Sequence, residues 1–300
     1  MRAGRQVAAA QPVFVAALLV LGAGWGLTQP LAKIAVTAGL HPLGMVFWQQ
    51  VIVALILGAV LAVQGRLPGL SAGRLGWSAL IALLGTILPN SAGYTAAIHL
   101  PAGIISIVTS MVPIFAWPVA MALGGDRFEP VRAAGLALGL AGVVVLVLPG
   151  ASLPGAAAGA FVLLAALAPL CYAFEGNVIA RFGTAGLDPL QLLFGASIVG
   201  AAAVLPLTLV TGTWFEMAPP WRAGDAALLA SSAIHAVVYA GYFALVRRAG
   251  AVFAAQVAYL VTGFGVLWAM LLLGERYPAS AWLAMALILT GMTLVRPRSS

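Results

Sequence analysis

Charge is what this chain has least of. Of 300 residues only 7% are charged, with seven acids against fourteen bases, while 63% are apolar. Soluble globular chains carry roughly 25% charged residues. So few charges cannot cover a water-facing surface, and the apolar runs extend past the ~20 residues that cross a bilayer. The composition therefore describes an integral membrane protein. Cysteine is nearly absent as well: Cys171 stands alone within an apolar run, which excludes a disulfide framework or cysteine-based metal cluster in one chain. The three histidines lie on separate segments without ligand spacing, so no metal site and no cofactor is expected. No Walker motif occurs, which removes ATP as a direct energy source within the chain. The net charge of +7 does not point to nucleic acid, because the bases are scattered singly or in pairs between apolar segments.

Apolar runs broken by Gly, Pro and charge predict ten helices, over about 13 to 37, 42 to 63, 75 to 97, 102 to 123, 132 to 149, 155 to 180, 190 to 211, 225 to 247, 251 to 273 and 279 to 295. The first follows Arg2 and Arg5 as a signal peptide would, but its apolar stretch is about twice an ordinary signal core, so it reads as a retained helix. Arg2, Arg5, Arg66, Arg74, Arg127, Arg132, Arg181, Arg247, Arg248, Arg296 and Arg298 fall in one set of connections. Arg222, Arg276 and Lys33 fall on the other side. By the positive-inside rule this bias places both termini in the cytoplasm, which requires an even number of spans. Thirteen Arg against a single Lys suggests a GC-rich bacterial source, hence a multi-pass protein of the inner cell membrane.

The two halves of the sequence repeat each other. Thr37-Ala38-Gly39-Leu40-His41-Pro42-Leu43, followed by Phe47, returns as Thr184-Ala185-Gly186-Leu187-Asp188-Pro189-Leu190, followed by Phe194. Ala92-Gly93-Tyr94-Thr95-Ala96 returns as Ala240-Gly241-Tyr242-Phe243-Ala244, and Gly125-Asp126-Arg127-Phe128 as Gly274-Glu275-Arg276-Tyr277. Three ordered matches at nearly constant displacement mark a duplicated five-helix unit, residues 1–150 and 151–300. Five is odd, so a second copy beginning where the first ends is inverted in the membrane. Arg127 is then cytoplasmic and its counterpart Arg276 external, in agreement with the charge bias. Inverted units enclosing a midplane cavity are suited to alternating access.

Trp25-Gly26 in the first helix with Lys33 after it, Pro42 at the entry to the second, Pro113 in the fourth, and Gly274-Glu275-Arg276 before a last helix bearing Gly291 resemble the EamA-type members of the drug/metabolite transporter superfamily. The resemblance spans essentially the whole chain. It implies an all-α bundle of ten transmembrane helices that moves small metabolites through a central cavity, with the fifth and tenth helices peripheral. One departure is that Gln49 and Gln50 stand early in the second helix, where such sequences usually carry an Arg.

Polar residues within a bilayer are costly unless they face protein or water, so polar stripes at helical spacing mark the bundle interior. Trp25 and Gln29 form one stripe, Thr86, Asn90 and Tyr94 another, and Ser231, His235 and Tyr239 with Tyr242 a third. Gln256, Tyr259 and Gly263 share a face of the ninth helix, and Tyr172 and Glu175 a face of the sixth. With Gln49, the residues Trp25, Gln29, Asn90, Tyr94, Tyr172, His235, Tyr239, Tyr242, Gln256 and Tyr259 are the candidate substrate-binding set. Interhelical packing is the alternative for each. Pro113 maps by the repeat onto Thr262, beside Gly263, so paired helix breaks are expected in the fourth and ninth helices, with Pro89 a third interruption.

Glu175 is the one acid inside a predicted span. It is a candidate for proton coupling or cation binding, or else reaches interfacial water or Arg181. Lys33 either neutralises an acidic solute group or snorkels outward. His235 could relay protons or serve as a neutral hydrogen-bonding group. Gly22 and Gly26, Gly135 and Gly139, and Gly155 and Gly159 give small-residue faces for close packing, and Gly135 to Gly142 is a candidate homodimer contact. The expected function is a secondary transporter, with export the favoured direction, of small organic metabolites such as amino acids. A coupling proton is the candidate driving partner. A lipid-linked sugar flippase on the same scaffold is the alternative, and an intramembrane enzyme a more distant one.

Overall fold

The computed structural model describes residues 2–69, 71–148, 158–249, 254 and 256–295, with side chains from residue 12 onward. Every regular element among them is helical. Helix α1 (Arg2–Thr37) contains an apolar span Pro12–Thr37 and is followed by α2 (Pro42–Val63), α3 (Ala72–His99), α4 (Ala102–Ala122) and α5 (Pro130–Val147). The second half contains α6 (Ala158–Phe182), α7 (Pro189–Val210), α8 (Ala223–Ala249), α9 (Val257–Leu273) and α10 (Ala279–Leu294). Eight of these are long and apolar enough to cross a bilayer. The described parts of α9 and α10 are shorter, at 17 and 16 residues. Of the expected segments, residues 149, 155–157, 251–253 and 255 lie outside the described residues, as do Gly155, Arg296 and Arg298.

The sequence repeat reappears as repeated local structure. The turn before α2 needs Gly39 at φ +93°, and the turn before α7 needs Gly186 at φ +74°, a region costly for residues with a Cβ. Each helix then starts with Pro at its first position, where the missing N–H sacrifices no helical bond. His41 caps α2 by accepting from the Leu43 N–H, whereas Asp188 caps α7 through a full capping box with Gln191.

The main interfaces between the halves obey the same exchange. α1 packs on α9 as α6 packs on α4, α1 on α8 as α6 on α3, and α2 on α8 as α7 on α3. The pairs α2–α7, α4–α9 and α5–α10 map onto themselves. Close approach at these seams depends on missing side chains. A Cβ on Gly26 would stand 2.7 Å from the Gly265 nitrogen of α9. At α5–α10, a Cβ on Gly291 would stand 2.5 Å from the Gly135 carbonyl oxygen and 3.0 Å from the Gly139 nitrogen. The face from Gly135 to Gly142 is thus occupied by α10 and by Ile114 of α4 in the same chain, which corrects the expectation that it forms a dimer contact.

Two expectations about helix breaks part company. α4 is interrupted, its first segment ending at Thr109 and the next beginning at Val112 with Pro113 second. α9 runs unbroken through Thr262 and Gly263. Proline both deletes a backbone donor and clashes with the preceding turn, whereas Thr262 keeps its N–H and its hydroxyl donates to the Ala258 carbonyl at 3.0 Å. Glycine at 263 weakens a helix without forbidding one. In α3, Pro89 is preceded by a π turn over Ala82–Ile87, in which the Leu88 N–H donates to the Leu83 carbonyl five residues back.

Gly291→Leu forces two backbones apart and should destabilise the folded protein by about 1–3 kcal/mol. Gly263→Ala, with nothing within 4 Å of its added Cβ, should leave it at least as stable. Thermal unfolding in detergent measures both, and equal effects would contradict the packing account.

Candidate functional site

A cavity of about 470 Å³ lies where α1, α2, α3, α4, α6, α7, α8 and α9 converge. That volume falls in the range of pockets for small organic molecules. Its position follows from the helix breaks. The π turn of α3 contributes Gly85 and Thr86, and the interruption of α4 contributes Thr109, Ser110, Val112 and Pro113. Irregular backbone at membrane depth is tolerated where it lines a cavity rather than lipid.

Of the candidate binding residues, Trp25, Gln29, Gln49, Asn90, Tyr94, Tyr172, His235, Tyr239 and Tyr242 line this cavity, as do Glu175 and Pro113. Gln256 is exposed and Tyr259 packs against the apolar core, both outside the cavity wall. The cavity-facing side of α9 carries Val257, Ala258 and Val261 instead. Thr262 is buried and Gly263 exposed, again away from the cavity.

One wall is a connected polar network. Gln49 Oε1 accepts from both Asn90 Nδ2 and the Tyr94 hydroxyl at 2.7 Å, and the Tyr172 hydroxyl donates to Asn90 Oδ1 at 3.3 Å. Beside it, Gln50 Nε2 donates to Thr86 Oγ1 at 2.7 Å, and Thr86 donates to the Ala82 carbonyl of the π turn at 2.8 Å. The two glutamines standing where a cation was expected therefore tie α2 to α3 as neutral hydrogen-bonding groups. The opposite wall is aromatic. Trp25 Nε1 approaches His235 Nδ1 at 3.4 Å, with the Trp25 and Tyr242 rings 5.5 Å apart and those of His235 and Tyr239 6.0 Å apart.

Thr28 lines the cavity and was not singled out from sequence, although the repeat locates it. Residues 25 and 172 are 147 apart, as are 28 and 175, so Trp25 and Tyr172, and Thr28 and Glu175, occupy matching places on α1 and α6. Ser110 and Gly85 were missed for a different reason. Their role comes from backbone geometry next to a proline, and their own side chains give no signal in the sequence.

Glu175 sits against the π turn: a Cβ on Gly85 would lie 2.6 Å from Glu175 Oε1 and 2.9 Å from Oε2. It does not reach Arg181, whose guanidinium lies over the Phe182 ring. Lys33 is not in the cavity. Its Nζ donates to the carbonyls of Ala97, Ile98 and Leu100 at 2.6, 3.3 and 3.1 Å, capping the C-terminal end of α3. Just beyond, Glu275 accepts from the Ala102 and Gly103 N–H groups at 2.8 and 3.2 Å, capping the N-terminal end of α4. The Tyr277 hydroxyl donates to the same carboxylate. Burial and this bond hold the Tyr277 phenol above its ordinary range, so it stays a donor. Opposite charges thus cap the facing ends of α3 and α4.

His41 and His99 are exposed, His99 stacking on Phe161 at 3.7 Å. No group of three potential metal ligands occurs among the described residues.

The pattern of the EamA-like transporter family matches this chain twice, over residues 13–148 and 159–296. The chain belongs to the EamA-like transporter family. It is a multi-pass membrane protein, and the two matches coincide with the two halves read from its internal repeat. The crystal structure of another protein aligns with 93% of this chain and 96% of its own length at a TM-score of 0.61 and 19% identity, a likeness of fold. No curated protein matches.

Gln49→Leu strands the buried Tyr94 hydroxyl and Asn90 amide together, whereas Tyr94→Phe removes one donor and leaves Gln49 its second partner. The first should cost about 1–3 kcal/mol of stability and the second under about 1. Thermal unfolding of the two variants is the check, and a larger loss for Tyr94→Phe would contradict the network.

Proposed function

We propose that the protein is a secondary transporter of small organic metabolites in the bacterial inner membrane, working by alternating access of two inverted repeats around the central cavity. The observation that carries this reading is the cavity itself. It is large enough for a small solute, lies between the halves, and is walled by matched residues of α1 and α6.

Symmetry between the halves, combined with asymmetry within them, supports the mechanism. In the first half α1 packs on α3 and α4, and α2 on α3. Among the described residues the corresponding pairs of the second half, α6 with α8 and α9 and α7 with α8, make no comparable contact. Two copies of one unit in two conformations close the bundle at the Lys33–Glu275 end and leave it looser at the Arg-rich end. Exchanging those conformations would move the opening to the other side. In the topology read from the Arg bias, the closed end is external and the looser end cytoplasmic. An amino acid or similar metabolite is the solute class on this reading, and a proton carried by Glu175 the coupling partner. Transport rather than catalysis is favoured because the cavity places no nucleophile beside a base and no acid pair.

Flux into proteoliposomes, with and without a pH gradient, across amino acids, nucleosides and organic cations tests the reading. Trp25→Ala and Tyr172→Ala should each lower flux about tenfold or more while the folded protein reaches the membrane in normal amount. Flux unaffected by both, or no flux of any solute, would count against it. Lys33→Met releases three carbonyls at the closed end and should raise labelling of a cavity cysteine by impermeant reagents from that side. Unchanged labelling would remove Lys33 from the closure.

A further inference from the structure

The cavity wall holds one carboxylate and no balancing cation. Glu175 is withdrawn from the outer surface but open to the cavity, and makes no hydrogen bond or ion pair among the described residues. Lining residues include neither Lys nor Arg. The bases that could approach are committed elsewhere: Lys33 to three carbonyls, Arg132 to Asp126 and Glu129, and Arg181 to the Phe182 ring. An unpaired carboxylate in a membrane interior is costly, and a proton or a cation taken up from solution relieves it.

The surroundings describe that partner. Trp25, Tyr172, Tyr239 and Tyr242 line the cavity together with Glu175. Carboxylate and aromatic faces together attract a cation. No three His, Cys, Asp or Glu residues converge, so a metal-type ligand set is missing among the described residues. The volume of about 470 Å³ suits an organic ion. An anionic or zwitterionic solute fares worse, because its carboxylate would meet no positive charge. The Asn90 amide and Tyr94 hydroxyl already donate to Gln49, and the Tyr172 hydroxyl to Asn90.

We propose that the cavity binds organic monocations, with the solute's amino group seated between Glu175 and the rings of Trp25, Tyr172 and Tyr239, in preference to amino acids or acids. This rests on the transporter reading and, within small organic metabolites, puts amines in place of amino acids as the favoured solute. Gly85 is part of the seat, since only a residue without a side chain leaves room for the carboxylate against the π turn.

The test uses the purified full chain in detergent and four solutes of one ring and differing charge: 2-phenylethylamine, 2-phenylethanol, 3-phenylpropanoate and phenylalanine. Calorimetric titration should show the amine binding at least about tenfold tighter than the alcohol, with the acid weakest. Glu175→Gln should abolish that preference while holding alcohol affinity within about twofold and keeping its unfolding midpoint. Gly85→Ala, which retains the charge but displaces it, should reduce the preference in part, and serves also if Glu175→Gln does not fold. The proposal is overturned if the amine binds no better than the alcohol or not at all at millimolar concentration, if the acid or phenylalanine binds tightest, or if the preference survives in folded Glu175→Gln and Gly85→Ala. Proteoliposome flux of any solute sustains the transporter reading whatever this series shows. Absence of all flux counts against that reading even if the amine binds as expected.

Discussion

A backbone amide or carbonyl without a partner in hydrocarbon costs several kcal/mol, and that cost decides where this chain is regular and where it is not. Among the described residues the helices satisfy most of their own backbone, and apolar side chains such as Val20, Leu55, Leu163, Val237 and Leu271 remain exposed on the outside. The two departures, the π turn before Pro89 and the interruption before Pro113, both open onto the cavity. Each departure lies beside a proline, although α1, α6 and α7 run unbroken through Pro30, Pro169 and Pro206, and the cavity makes each tolerable. The site therefore forms where the chain cannot complete its helices and where polar groups can be supplied by Gln49, Gln50, Thr86, Asn90 and Tyr94.

Packing at the seams is governed by a complementary constraint. Helices in lipid gain little from burying apolar surface against each other, so they associate through close backbone approach. Gly26 against Gly265, and Gly135 and Gly139 against Gly291, provide it. These contacts hold α1 to α9 and α5 to α10 across the two halves. The contacts of Lys33 and Glu275 are of another kind, since they cap helix ends by charge.

Much of this was legible in the sequence because composition and periodicity record lipid exposure directly. The spans, the duplication and the stripes through Trp25, Asn90, Tyr94, Tyr172 and His235 follow from where polar residues can be tolerated. Symmetry carried the argument further than the backbone allows at one point. The repeat equates Pro113 with Thr262, but residue chemistry does not, and α9 stays helical. Lys33 was ambiguous because its long side chain can reach in several directions. Its three carbonyl partners come from the end of α3, a contact distant in sequence. Gln256 and Tyr259 share a helical face with each other, yet the direction of that face depends on how α9 packs on α1 and α4.

The account stands on the two halves being threaded in opposite directions through the bilayer, which makes one cavity openable from either side. Arg127 and Arg276 occupy matching, exposed positions of the two repeats and report on this directly. Single-cysteine replacements at each, in a Cys171→Ala background, can be exposed to a membrane-impermeant maleimide in intact cells and again after permeabilisation. The account predicts that position 276 is labelled in intact cells and position 127 only after permeabilisation. Labelling of both from the same compartment would contradict the inverted arrangement and remove the basis for alternating access.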